Sequence, residues 1–260
     1  MVLPAYLEQG EGDTAVFLLH GVGGGKEAWA HNQPALAGHG YRTIAWDMPG
    51  YGASQALALC SNASLAEALQ TLIEHTGAKC NVLLGHSMGG MLAQELAALH
   101  PALVHGLVLY STSPAFGKAD GAWQQQFLQS RFAPLDLGLG MAGLAGNLVP
   151  AMFAPGAEPA RIAEAAAWMA RVPVDSYRAA LSAIVSFNRL AVLGDIAVPT
   201  LCLAGELDQN APAAVVEKMA GRIPGAGYAC LPGVGHIANI EQPDLFNSAV
   251  LTFLKQHFPT

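Results

Sequence analysis

Ser87 stands at the centre of Gly85-His86-Ser87-Met88-Gly89, directly after the apolar run Asn81-Val82-Leu83-Leu84 and directly before the helix-favouring stretch Met91 to Leu99. A Gly-x-Ser-x-Gly pattern between a strand and a helix is the sequence form of a nucleophile elbow. There the serine takes a strained backbone conformation, and the glycines leave room where strand and helix nearly touch. The expected result is a hydroxyl exposed at a helix N-terminus, placed to attack a carbonyl. Small residues also make ordinary βα turns, so the pattern draws its meaning from the rest of the chain.

Two further segments supply what such a serine needs. Val198 to Asp208 reads as a buried strand ending in a carboxylate, and Tyr228 to His236 as a short strand ending in a histidine. A hydroxyl is a poor nucleophile until a base within hydrogen-bonding reach takes its proton, and imidazole titrates near neutrality. His236 therefore suits the base, and Asp208 would fix its tautomer and stabilise the imidazolium formed during attack. Strand-end aspartates are also ordinary turn formers, and Asp47 and Asp195 fit that description. Asp120 is the fallback acid. His86 is expected to point away from the hydroxyl, and His20 to brace the loop that follows it.

That loop, His20-Gly21-Val22-Gly23-Gly24-Gly25-Lys26, follows the strand-like Ala15 to Leu19. A phosphate-binding Walker A loop would need glycine where His20 stands and Ser or Thr where Glu27 stands, and the dinucleotide fingerprint fails at Lys26. What fits is a loop whose backbone N–H groups face the nucleophile and stabilise an oxyanion, together with the N–H of Met88.

The chain order Ser, Asp, His, the glycine loop, Trp46 to Ser54, Gly205 to Asp208 and Gly235 to Pro243 together resemble an α/β-hydrolase. The branch resembled includes oxoadipate enol-lactonases and related esterases and C–C hydrolases. The resemblance implies a mostly parallel twisted sheet with helices on both faces and an inserted helical cap. It also implies Val22 as the second oxyanion donor, no cofactor, and hydrolysis of a small-molecule ester or lactone by water through an acyl-serine. Two alternatives stay open: hydrolysis of a carbon–carbon bond in a ring-cleavage product, and a non-catalytic ligand-binding member of the fold.

Apolar runs of strand length recur at about 15–20, 41–46, 80–85, 105–110, 199–204 and 227–231, separated mostly by helix-like segments. This alternation predicts a parallel sheet covered on both faces. One helix is expected from the capping-box spacing Ser64 to Glu67 up to Gly77, another from the elbow to His100. Between residues 114 and 190 the rhythm breaks, with amphipathic helices expected around Trp123 to Phe132 and Glu158 to Arg171, separated by a loose stretch at 135–140. The expected organisation is thus a catalytic core of 1–113 and 191–260 carrying a cap at 114–190. Trp123 and Trp168 are the cap's candidate substrate contacts. Five of the seven arginines also lie in it (Arg131, Arg161, Arg171, Arg178, Arg189), and one facing the pocket could hold a substrate carboxylate.

Composition narrows the partners. A formal charge of −7 offers no field for a nucleic-acid backbone, and no basic cluster appears. Hydrophobic residues make up 52% of the chain, yet no run approaches the roughly 18 residues that span a bilayer. Met1 to Tyr6 lacks the basic patch and apolar core of a secretory signal, so a cytoplasmic location is expected. Cys60, Cys80, Cys202 and Cys230 have no CxxC spacing and read as buried free thiols. The nine histidines show no HExxH or Cys/His spacing, so no metal is expected, and His31 is read as a surface or helix-end residue.

Overall fold

The computed structural model describes residues 2–117 and 121–260. The apolar runs form strands of one sheet: β1 (Tyr6–Gln9), β2 (Thr14–Leu19), β3 (Arg42–Trp46), β4 (Cys80–His86), β5 (Gly106–Tyr110), β6 (Thr200–Gly205) and β7 (Gly227–Leu231). Their order is β1-β3-β2-β4-β5-β6-β7, and every neighbouring pair is parallel except β1 with β3. Parallel neighbours need long crossovers. Helices run through the connections: α1 (Gln33–Ala37), α2 (Asn62–Thr76), α3 (Met88–Leu99), then α4 (Ala122–Asp136), α5 (Gly140–Leu148), α6 (Pro159–Met169) and α7 (Val174–Ile184) between β5 and β6, and finally α8 (Ala213–Ala220), α9 (Ala238–Glu241) and α10 (Pro243–His257).

Side chains of a strand alternate between faces, and the two faces carry separate cores. Ala15, Phe17 and Leu19 of β2 pack with Leu69 and Leu72 of α2 and Leu92 of α3. Val16 and Leu18 pack with Trp29, Leu36 of α1 and Phe246 and Val250 of α10. From β2 the chain first moves outward to β3, then crosses back to β4 on the other side. The carboxyl ends of β2 and β4 therefore flank the switch point, where open α/β sheets form their crevice. The glycine loop leaves one side of that crevice and Ser87 the other.

Several expectations need correction. β1 was not anticipated; it is an exposed antiparallel edge strand, too polar to leave an apolar run. α2 starts at Asn62, not Ser64, because Ser61 is the cap: its Oγ accepts from the Ser64 N–H at 3.1 Å, and Ser64 Oγ accepts from the Ser61 N–H at 2.9 Å. The stretch at 135–140 is not loose, since α4 continues past Pro134 to Asp136 and α5 begins at Gly140. α7 also went unread, although its buried Tyr177, Ala180, Leu181 and Ile184 follow helical spacing. Cys230 is exposed on the edge strand β7, Cys60 and Cys80 are half-buried, and only Cys202 is buried. No described helix is long and apolar enough to cross a membrane.

The segment between β5 and β6 departs and returns at one place. Phe116 N–H donates to Phe187 O at 3.0 Å and Arg189 N–H to Pro114 O at 2.7 Å, around a bridge between Ala115 and Asn188.

A very close backbone approach lies beside the elbow. A Cβ on Gly89 would sit 2.1 Å from Leu19 O, and one on Gly85 2.4 Å from Gly89 O. Gly89→Ala is expected to destabilise by at least about 1–3 kcal/mol, the usual scale of overpacking. Gly146→Ala serves as the contrast: its Cβ would meet nothing within 4 Å in α5. There the gain is about 0.5–1 kcal/mol from helix propensity. Denaturant melts of the two variants check both signs, and equal stabilities would refute the close approach.

Candidate active site

Ser87 adopts φ 52° and ψ −115°, a left-handed region that a residue with a Cβ rarely enters. Hydrogen bonds hold it there. Its N–H donates to Tyr110 O at 2.9 Å, and its carbonyl accepts from Thr112 Oγ1 at 2.7 Å and from Gly90 N–H at 3.0 Å. Met88 follows as the first residue of α3, where a helix N–H has no intrahelical acceptor. The glycine loop runs against this turn: a Cβ on Gly21 would lie 3.2 Å from Ser87 Cβ. Val22 sits next in that loop, its carbonyl accepting from Tyr51 OH at 3.0 Å.

The predicted acid and histidine meet directly. His236 Nδ1 donates to Asp208 Oδ2 at 2.8 Å, while Asp208 Oδ1 accepts from the N–H groups of Asn210 (2.8 Å) and Ala211 (3.0 Å). Burial alone would raise the Asp208 pKa, but the His236 hydrogen bond and charge with the two N–H donors outweigh it, and the net shift is downward. With Nδ1 committed to the carboxylate, His236 Nε2 is the free nitrogen. Asp120, the fallback acid, lies outside the described residues.

His86 does not point away. Its ring lies 4.7 Å from the His236 ring, and its Nε2–H donates to the His236 carbonyl at 2.9 Å, beside a second donor, Tyr110 OH, at 3.0 Å. His86 keeps the alternation of β4, on the face of Val82 and Leu84, with its ring 4.8 Å from that of Tyr110. Burial, then the neighbouring His236 ring, pushes the His86 pKa down to about 3. His20 is buried and its pKa likewise lowered, chiefly by burial. Its Nε2 accepts from Met48 N–H at 3.0 Å, so Nδ1 carries the proton and donates to Gly21 O at 2.7 Å. His20 thus braces the glycine loop. Asp47 braces its far end, accepting from Lys26 N–H at 3.0 Å and from Lys26 Nζ, and also from Ala53 N–H at 3.0 Å in the following turn.

Two cavities meet at Ser87. A smaller one of about 60 Å³ is lined by Val22, Ser87, His236, Met152 and Trp168. A larger one of about 520 Å³ shares Val22, Ser87, His236 and Met152, and extends to Trp123, Arg131 and Tyr177. Trp168 and Trp123 therefore border different chambers, and Trp123, 40% exposed, stacks on Phe127 with ring centroids 5.6 Å apart. His31, read as a surface or helix-end residue, lies just beyond the short helix Lys26–Trp29 and is half-buried against α6, with Glu164 Oε2 2.8 Å from its Nε2.

The neutral, half-buried His86 has a consequence for stability. In the unfolded chain an imidazole takes up a proton as pH falls below about 6.5. In the fold His86 does so only at about 3. The unfolded state therefore binds more protons across that interval, and stability falls as pH is lowered through it. His86→Gln keeps an N–H donor without a titrating ring, so its Tm should decline less steeply than wild type between about pH 6.5 and pH 4. Parallel declines in thermal melts would refute this.

Comparison with known proteins places these features in a family. Residues 14–243 match the family described as alpha/beta hydrolase fold. BpoC of Mycobacterium tuberculosis, provisionally named a non-heme bromoperoxidase, is 29% identical over 97% of this chain and 98% of its own. Among solved structures, a thermophilic esterase from Thermogutta terrifontis superposes with a TM-score of 0.87 at 25% identity, covering 97% of this chain and 93% of that one. The enol-lactonase of Burkholderia xenovorans superposes with a TM-score of 0.85 at 26% identity, covering 96% of each chain. With a family match over most of its length, a mostly parallel sheet and esterase and lactonase structures that superpose on nearly the whole chain, the chain belongs to the alpha/beta-hydrolase fold family.

Proposed function

We propose that the protein is a serine hydrolase that cleaves a carboxylic ester or lactone of a small molecule through an acyl-Ser87 intermediate. The observation carrying this reading is the buried Asp208–His236 hydrogen bond, with its free Nε2, bordering the same two cavities as the strained Ser87. In this mechanism Ser87 Oγ adds to the substrate carbonyl carbon while its proton passes to His236 Nε2. The N–H groups of Met88 and Val22 receive the oxyanion, a contribution of about 3–4 kcal/mol per donor. Collapse breaks the carbon–oxygen bond, and the leaving alcohol takes the proton from His236. Water then attacks the acyl-enzyme with His236 again as base, releasing the acid and restoring the serine. With a lactone, alcohol and acid leave as one molecule.

In this reading the helices between β5 and β6 act as the cap, and Arg131 of α4 gives the larger chamber its preference. Arg161 pairs with Glu158 and Glu164, Arg178 with Asp136, and Arg189 with Glu95, while Arg171 lies exposed. Arg131 lines the chamber, stacked 5.2 Å above the Phe127 ring. A guanidinium there would accept a remote carboxylate of the substrate.

Two outcomes test the proposal. Treatment with a fluorophosphonate should add one adduct to wild type and none to Ser87→Ala by intact mass, and the variant should lose turnover of p-nitrophenyl esters. Decay of a chromogenic ring-cleavage product without ester turnover would instead favour carbon–carbon bond hydrolysis. Substrates with a second carboxylate should be preferred over their methyl esters. Arg131→Gln should remove that preference by raising KM about tenfold or more with kcat nearly constant, as for loss of a charged binding contact. Equal turnover of charged and uncharged substrates by wild type would sink the carboxylate idea.

A further inference from the structure

Glu241 is buried on α9, five residues beyond His236, and takes no part in the mechanism above. Its two carboxylate oxygens serve two distant backbone segments. Oε2 accepts from the N–H of Gly235 at 2.8 Å, immediately before the histidine. Oε1 accepts from the N–H of Ala154 at 3.0 Å, in the turn between α5 and α6. A third bond joins the same two segments directly, from His236 N–H to Met152 O at 2.7 Å. They lie so close that a Cβ on Gly235 would sit 2.4 Å from Met152 O. Met152 in turn borders both cavities.

From this geometry we infer that Glu241 is a positioning residue: it locks the loop carrying His236 to the inner turn of the helical segment at 152–154, so that base and pocket wall move as one body. The inference rests on His236 being the base in the proposed reaction. A carboxylate is suited to the position because both of its oxygens accept and neither donates. The glutamine amide has the same shape but only one accepting atom, so its NH₂ group faces one of the two N–H donors and the link opens on that side. Substrate pressing on Met152 is thereby transmitted to the imidazole. A shift of the base by a fraction of an ångström is costly in the chemical step and nearly neutral in binding.

The test compares Glu241→Gln with Glu95→Gln. Glu95 is also a buried carboxylate that ties the same helical segment to the core, through Arg189, with its Oε1 2.5 Å and Oε2 2.7 Å from the guanidinium, away from both cavities. For Glu241→Gln, kcat and the rate of fluorophosphonate labelling should fall together by about tenfold to a hundredfold, with KM within about twofold. Amide exchange should rise together in peptides covering 150–155 and 234–237. Glu95→Gln should lower Tm while leaving kcat within about twofold of wild type. Should Glu241→Gln fail to fold, Glu241→Asp, which keeps both acceptors on a shorter arm, is read in the same way. Wild-type kcat in the Glu241 variant, exchange rising in one segment only, or the same loss of kcat in Glu95→Gln at equal loss of Tm would each overturn the positioning role. Full activity in Ser87→Ala or His236→Ala would instead overturn the underlying catalytic reading, so the two failures are distinguishable.

Discussion

The left-handed backbone at Ser87 is the constraint around which the rest is arranged. A serine in this region is intrinsically unfavoured, by about 1–3 kcal/mol, and it persists only where its surroundings leave no alternative. Here the surroundings are the core of the sheet. β4 lies between β2 and β5, and the residue after it is held through Tyr110 and Thr112 at the end of β5. The glycine loop after β2 closes the other side. Without parallel neighbours on both sides of β4, the turn could relax into an ordinary helix start and the hydroxyl would lose its projection.

Around that turn the protein gathers three imidazoles and one buried carboxylate. His20 and His86 are kept neutral by burial, and the hydrogen bonds described for each are to neutral backbone groups. Among the described residues, Asp208 is the acidic group hydrogen-bonded to this histidine cluster, through His236. A positive charge arising in the group is stabilised best on the ring that touches the carboxylate, which separates the three histidines by environment and not by type.

Most of the sheet could be read from the chain because β2, β4, β5 and β6 are buried on both faces and so appear as continuous apolar runs. β1, half polar and paired at an edge, left no such mark. The pairing of Asp208 with His236 was legible because each follows a strand, and parallel strands deliver their carboxyl ends to one side of the sheet. The direction of His86 follows strand alternation, which sets it on the face of Val82 and Leu84, but its contact with His236 is made only by the fold. The contacts of Glu241 were beyond sequence reading for a different reason: Gly235 is near in sequence, but Ala154 is brought beside it only by the folding of the helical segment. The helices in that segment were read incompletely because glycines at 138 and 140 look like a loose linker, whereas they make one tight connection between two helices.

That segment leaves the sheet after β5 and rejoins it before β6 through paired backbone at Pro114–Phe116 and Phe187–Arg189. Its two ends are thus clamped to each other, and the register of β5 with β6 is set on the sheet side of the clamp. The entropy of closing a loop depends only weakly on how many residues it contains once its ends are fixed. The clamp therefore makes the intervening helices a replaceable cassette: their number, length and side chains can be exchanged while Ser87, Asp208 and His236 keep their places, provided that one turn still reaches Gly235 and Glu241. The helices that wall the cavities and the strand ends that hold Ser87, Asp208 and His236 are in this way separable units within one chain.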